Sequence, residues 1–163
     1  MKYDAASFGD FRCTHCRAIV SSAPLLSGVN NRNHCPYCLW SCHLDLYAAG
    51  DRLSACKAPM KPVGLTMKKS RNKYQREARG ELMLIHECVE CKVLSINRIA
   101  ADDDLATILA VFEESLTHAH DLQAQCTPYG IVILDTEHSQ IVDTQLYGHV
   151  REIPMVDRIY NPI

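Results

Sequence analysis

Apolar residues at spacings of three and four mark one stretch of the chain as helical. The periodic positions are Leu105, Ile108, Leu109, Phe112, Leu116 and Ala119. This spacing places them on one face of an α-helix. Asp102, Asp103 and Asp104 precede them, and carboxylates at a helix N-terminus accept hydrogen bonds from free amides and complement the helix dipole. The pattern therefore predicts a helix over residues 102–124, packed through its apolar face.

Short apolar runs separated by turns predict strands in two further regions. Residues 81–86 and 92–99 flank the turn 88–91, which is the arrangement of a β-hairpin. Residues 130–134 and 140–147 flank a polar turn and predict a second hairpin near the C-terminus. A helix and antiparallel strands in separate segments are typical of an α+β fold.

The first half of the chain has little regular periodicity. Residues 10–56 are dense in Cys, His, Asn, Gly and Pro, so we expect short elements there, including a strand at residues 18–20. Residues 57–80 contain eight basic side chains and one acidic side chain, and two prolines and a glycine interrupt their start. They predict an exposed basic loop with a short helix near residues 74–78.

Basic and acidic residues are separated along the chain. Residues 1–98 hold 15 of the 17 basic residues and 8 of the 19 acidic ones, a formal charge of +7. Residues 99–163 hold the other 2 basic and 11 acidic residues, a formal charge of -9. This separation predicts an N-terminal part that faces a polyanion and an acidic C-terminal part that faces solvent or a protein partner.

Composition narrows the class of protein. The longest apolar runs are far shorter than the roughly 20 residues of a membrane-spanning helix, and the N-terminus lacks the apolar core of a signal peptide. We therefore expect a cytoplasmic protein without a membrane segment. Nine cysteines, an odd number that includes several C-x2-C pairs, are typical of metal ligands in a reducing compartment rather than of disulfides.

Two of the C-x2-C pairs are spaced as the halves of one metal site. They are Cys13 with Cys16 and Cys35 with Cys38, and 18 residues separate Cys16 from Cys35. Each pair directs two thiolates toward one point, and two pairs complete a tetrahedral zinc site. We predict a structural Zn²⁺ site from these four thiolates, with iron in a rubredoxin-like site as the alternative.

A third pair, Cys88 and Cys91, needs two more ligands. The candidates are Cys42, His43, Cys56, His34 and His86. We select His43 and Cys56, because both lie in one connecting segment and Cys56 has no C-x2-C partner of its own. Cys42 is predicted to be a packed thiol, and Cys126 is too far from the other cysteines to be a ligand. The sequence thus predicts two Zn²⁺ ions per chain.

The residues around these ligands form an ordered series of blocks. Arg32-Asn33-His34-Cys35-Pro36 is followed by His43-x-Asp45, Gly50-Asp51-Arg52 and Cys56, and later by His86-x-Cys88-x2-Cys91 and Asp102-Asp103. These blocks resemble the RNHCP-domain family of small bacterial proteins over about residues 8–105. The resemblance implies a zinc-binding module and implies no particular activity. Residues 106–163 lie outside the resemblance.

These observations combine into one predicted architecture. A small zinc-ribbon-like module with two structural zinc sites occupies residues 1–100, and a helix and a β-hairpin occupy residues 101–163. Both parts together form an α+β protein in which metal binding supplies much of the folding free energy of the first part.

The leading functional hypothesis is binding of RNA or the ribosome through the basic loop at residues 57–79. The predicted contact residues are Lys68, Lys69, Arg71, Lys73, Tyr74, Arg76 and Arg79. Cations neutralise phosphates, and an exposed tyrosine stacks on an unpaired base. The alternative is a protein–protein interaction adaptor that docks through its acidic C-terminal part, with purely structural zinc. A metal-dependent hydrolase or nuclease fits less well, because each predicted site already has four protein ligands.

Overall fold

The structure is a computed structural model and describes residues 9–48, 50–68 and 80–149. Its strands are β1 (Phe11–Arg12), β2 (Ile19–Val20), β3 (Ser41–Cys42), β4 (Pro59–Lys68), β5 (Glu81–Cys88) and β6 (Leu94–Arg98). Its α-helices are α1 (Pro24–Ser27), α2 (Leu105–Leu116), α3 (Ala119–Cys126) and α4 (Ser139–Tyr147). Short 3-10 turns lie at Thr127–Tyr129 and Thr136–His138. The predicted α+β class is confirmed.

A four-stranded antiparallel sheet in the order β3-β4-β5-β6 forms the centre of the fold. Its β5–β6 hairpin confirms the strand–turn–strand prediction around residues 88–91, with Met83 opposite Arg98 and Glu87 opposite Leu94. β1 pairs with β2 in a separate two-stranded sheet, which confirms the short strand expected at residues 18–20.

β4 corrects the prediction that residues 57–80 form a loop. Residues 59–68 are a central strand, and Leu65 and Thr66 within it are buried. Pro62 is tolerated because β3 pairs only with Pro59 and Met60, so the strand needs no backbone donor to β3 beyond that point. A register shift between Pro62 and Gly64 marks a bulge in the pairing with β5.

The single helix predicted over residues 102–124 is two helices. Asp104 alone caps α2, and its carboxylate accepts a hydrogen bond from the Thr107 amide at 2.8 Å. At the other end, the Thr117 hydroxyl bonds back to the Glu114 carbonyl at 2.8 Å, a local bond that competes with helix continuation. His118, at φ -138°, separates α2 from α3.

The predicted C-terminal hairpin is wrong. Ser139–Tyr147 forms α4, and Ile133 contributes only an isolated bridge to Thr66 of β4. Val142 is buried, and Leu146, four residues later, packs against the same cluster, so the helical spacing places both on the core side. The carboxylate of Asp135 accepts a hydrogen bond from the Glu137 amide and starts the 3-10 turn that leads into α4.

The main core lies between the sheet and the helices. Its buried residues are Leu39, Leu65, Leu82, Leu84, Ile108, Val111, Phe112, Leu134 and Val142. Each fully buried aliphatic side chain contributes about 1.5–3 kcal/mol relative to exposure. A second cluster packs Leu122 and Cys126 of α3 against Ile85 and Leu94 of the sheet. Within the described ranges, no helix has the length and apolarity to cross a membrane.

Candidate metal centres

Two groups of four ligand atoms converge in the structure. The first contains Cys13, Cys16, Cys35 and Cys38, and the second contains His43, Cys56, Cys88 and Cys91. In each group the four ligand atoms lie within 4.8 Å of one another. These are the eight residues singled out in the sequence. Cys42 lies outside both groups and donates its S–H to the Lys57 carbonyl at 3.1 Å.

The spacings within both groups fit a tetrahedral metal. The Sγ atoms of Cys13 and Cys38 are 3.6 Å apart, and those of Cys16 and Cys35 are 3.5 Å apart. With Zn–S bonds of about 2.3 Å, tetrahedral geometry puts neighbouring sulfurs about 3.8 Å apart. In the second group, Cys56 Sγ is 3.6 Å from Cys88 Sγ, and Cys91 Sγ is 3.2 Å from His43 Nδ1. Both groups are therefore compatible with one zinc ion each, with Nδ1 as the histidine ligand.

All three C-x2-C turns share one backbone geometry. In the first, the Cys13 amide donates to the Ala18 carbonyl at 2.8 Å, and the Arg17 amide donates to the Cys13 carbonyl at 3.0 Å. The other two turns repeat this pattern. The Cys35 amide donates to the Trp40 carbonyl and the Leu39 amide to the Cys35 carbonyl. In the third turn, the Cys88 amide donates to the Val93 carbonyl and the Lys92 amide to the Cys88 carbonyl. The fourth residue after the first cysteine has a left-handed backbone each time, with φ of 67° at Arg17, 60° at Leu39 and 62° at Lys92. Such strain persists only where surrounding contacts impose it.

Backbone amides also set the protonation of the thiols. The N–H of Ala18 lowers the pKa of Cys16 to about 7. Burial raises the pKa of Cys88, but hydrogen bonds from the amides of Cys91 and Glu90, and from the side chains of Cys91 and His43, outweigh this effect and bring it to about 6. Burial raises the pKa of Cys38 well above its usual range. A divalent cation would favour the thiolate at every one of these positions, so metal binding releases protons.

The loop between His43 and Cys56 is held by two aspartates. Asp45 accepts hydrogen bonds from the amides of Gly50 at 2.8 Å and Arg52 at 3.1 Å. Asp51 accepts bonds from the amides of Leu46, Tyr47, Ala48 and Leu53. The Leu46 amide is the largest of the causes that lower the pKa of Asp51 below its ordinary value. The two carboxylates thus shape the segment that brings His43 and Cys56 to the same centre.

A buried ionic network ties the first centre to the start of α2. Arg32 donates through Nη1 to Asp102 at 2.7 Å and through Nη2 to Asp103 at 3.0 Å. His34 Nε2 lies 2.8 Å from the other oxygen of Asp103. The side chains of Arg32 and Asp103 are fully buried. Arg32 and His34 are two residues apart in extended chain, so both side chains point to the same side and share one carboxylate.

His86 is a second buried polar anchor. Its Nε2 donates to the Leu39 carbonyl at 2.7 Å, and its Nδ1 accepts from the side-chain amide of Asn97 at 2.9 Å. Burial, together with the neighbouring His34, lowers its pKa to about 3, so the ring is neutral. His86 is therefore a structural residue that links the second C-x2-C turn to β6, and it does not join the second metal centre.

No local signal in the sequence indicates that Arg32 pairs with Asp102 and Asp103. Of the three aspartates predicted at the helix N-terminus, Asp104 alone caps α2. His34, a candidate for the second metal site that was not selected, hydrogen-bonds to Asp103 and lies outside both ligand groups. Of the predicted RNA-contact residues, Lys68 is the exposed last residue of β4. The others, Lys69, Arg71, Lys73, Tyr74, Arg76 and Arg79, lie outside the described ranges.

An α+β fold with two closed groups of four Cys and His ligands defines a zinc-binding module with structural metal centres. The family model of the RNHCP domain matches residues 8–109, and the chain belongs to that family. The match includes all eight candidate ligands together with Arg32, His34 and Asp103. No curated protein and no solved structure matches the chain.

Proposed function

We propose that this zinc-binding module binds RNA, free or within the ribosome, through the basic run at residues 68–79. The observation that carries the proposal is charge density: six of these 12 residues are Lys or Arg, and one is Glu. A run of this kind neutralises backbone phosphates and releases counterions. Tyr74 within it offers a ring for stacking on an unpaired base.

The position of the run in the fold supports the proposal. β4 ends at Lys68, which lies opposite Glu81 at the start of β5, so the run joins two paired central strands. Cys88 ends β5 at the second metal centre, seven residues from Glu81 and about 24 Å away at strand spacing. The second metal centre therefore lies at the opposite end of β5 from Lys68, the described residue of the basic run.

Salt-dependent binding tests the proposal. The zinc-loaded chain should bind fluorescently labelled single-stranded RNA, and six phosphate contacts would give a log–log salt dependence with a slope of about -4. Replacing Lys69 and Arg71 by Gln should weaken binding and reduce that slope by about 1.4. The matched control replaces Lys61 and Lys92, which form exposed ion pairs elsewhere, and should leave both quantities unchanged. Absence of RNA and ribosome binding at low salt would refute the proposal.

A protein-interaction role for the acidic part is the competing function. Glu113, Glu114 and Asp121 are exposed on α2 and α3, on the side away from the buried residues. Deletion of these helices would also remove core residues, so charge substitution is the better test. Replacing Glu113 and Asp121 by Gln and Asn should leave RNA affinity unchanged. Loss of a co-purified protein partner with the same variant would favour the adaptor function instead.

A further inference from the structure

We propose that a cavity beside the first metal centre binds an unpaired nucleobase of the RNA, with the adjacent phosphate against Arg12. This inference rests on the proposed RNA-binding function and names a second contact outside the basic run. The cavity has a volume of about 510 Å³ and lies between the first C-x2-C turn and residues 30–33. That volume is within the range of about 300–1,000 Å³ typical of small-ligand sites.

Aromatic rings form one side of the cavity. Trp40 lines it, and the Trp40 ring stacks on His15 with the ring centroids 4.3 Å apart and the planes 5° from parallel. Phe11 lines the same cavity. Both Trp40 and Phe11 are only half-buried, so ring surface is available to a ligand. A nucleobase is the flat ligand that such surfaces accept, at about 1–3 kcal/mol per stacked base.

The polar groups of the cavity match a nucleotide. Among the described residues, the side chains of Arg12, Asn31 and Asn33 have no hydrogen-bond partner, and all three line the cavity. An asparagine amide both donates and accepts, as the edge of a base requires. Arg52 lines the cavity as well, 3.9 Å from Asp45, and no Asp or Glu is among the described lining residues. Arg12 and Arg52 offset the negative charge of the neighbouring thiolates, so a phosphate can approach.

A second cavity lies between residues 30–33 and Lys68, the first residue of the basic run. It has a volume of about 430 Å³, and residues 30–33 form part of its wall as they do for the first cavity. Its other lining residues include Lys68, Asn97 and Arg98. An RNA strand that leaves the first cavity across residues 30–33 therefore reaches Lys68, the first residue of the basic run.

The only tryptophan of the chain is Trp40, and it lines this cavity, so its fluorescence can report binding there. Adenosine and uridine monophosphates, titrated into the zinc-loaded full chain, should quench Trp40 emission with saturation. Arg12→Gln should weaken this binding about tenfold, the loss expected for one charge-assisted hydrogen bond. The control Arg17→Gln removes the same charge five residues away, at an exposed position of the adjoining turn that does not line the cavity, and should have little effect. Two zinc ions per chain in each variant would show that folding is intact.

The outcomes separate this inference from the proposed function. RNA binding that leaves Trp40 emission unchanged, or equal weakening by both arginine variants, would overturn the nucleobase site and leave the basic run intact. Quenching by inorganic phosphate alone to the same extent would also overturn it, because no base would then be recognised. Failure of RNA to bind at low salt would refute the proposed function itself. Saturable quenching by the nucleotides, weakened only by Arg12→Gln, supports the inference.

Discussion

Replacement of Asp103 should cost substantial stability without removing a metal ligand or a core side chain. Its carboxylate is fully buried and accepts from Arg32 at 3.0 Å, His34 at 2.8 Å and the Ala100 amide at 2.7 Å. Asp103→Ala leaves all three groups without this acceptor. Loss of one partner of a buried ion pair costs about 3–5 kcal/mol. Arg32 keeps Asp102 at 2.7 Å, so we expect the lower end, about 3 kcal/mol.

Thermal unfolding of the zinc-loaded protein measures this loss. For a chain of this length, 1 kcal/mol shifts Tm by about 2–4 °C, so Asp103→Ala should lower Tm by about 6–12 °C. The neighbouring Asp104→Ala removes only an exposed helix cap, worth about 1 kcal/mol, and is the control. The double variant with Arg32→Ala should lose less stability than the two single variants together, because each single variant already removes the Arg32–Asp103 ion pair and it can be lost only once. Equal Tm for the Asp103 and Asp104 variants would refute the role assigned to the network.

Three further predictions concern the metal centres and their surroundings. Cys35→Ser should unfold the first centre and lower the zinc content, measured by metal analysis, from two ions per chain to one. The control Cys42→Ser should keep both ions. Two ions in the Cys35 variant would contradict the assignment of Cys35 as a ligand of the first centre. Lys92→Gly should stabilise by about 0.5–1 kcal/mol, because Lys92 has φ of 62° and glycine adopts this backbone without strain. Glu90→Gly, in the same turn without a positive φ, should destabilise in the same urea titration, and equal effects would argue against the strain. His86→Leu should cost about 1–3 kcal/mol by leaving the buried Leu39 carbonyl and the side-chain amide of Asn97 unpaired, and a urea midpoint equal to that of the parent would contradict the anchoring role.

The metal ligands could be predicted from the sequence because the geometry of a C-x2-C turn is local. A C-x2-C turn orients two thiolates through bonds within a few residues, as the repeated backbone pattern at Cys13, Cys35 and Cys88 shows. The β5–β6 hairpin could be predicted for the same reason, since its strands directly flank one of these turns. The choice of His43 and Cys56 needed ligand counting as well, because neither belongs to a pair.

Other features depended on contacts between distant parts of the chain. Residues 140–147 contain β-branched residues that suit a strand, but they form α4, and Val142 and Leu146 pack from one face of that helix into the main core. β4 contains two prolines, and only its position beside the short β3 makes them acceptable in a central strand.

The sequence by itself therefore determined the metal-binding turns, the family and the separation of charge, because each is written in neighbouring residues or in composition. The tertiary structure alone decided what the signature residues Arg32 and His34 do. Their partner Asp103 lies about 70 positions along the chain, at 71 and 69 residues respectively. It also decided that residues 30–33 separate two cavities. Hydrogen bonds and cavities of this kind form only when the fold brings segments that are remote in sequence into contact, and no local sequence pattern specifies those contacts.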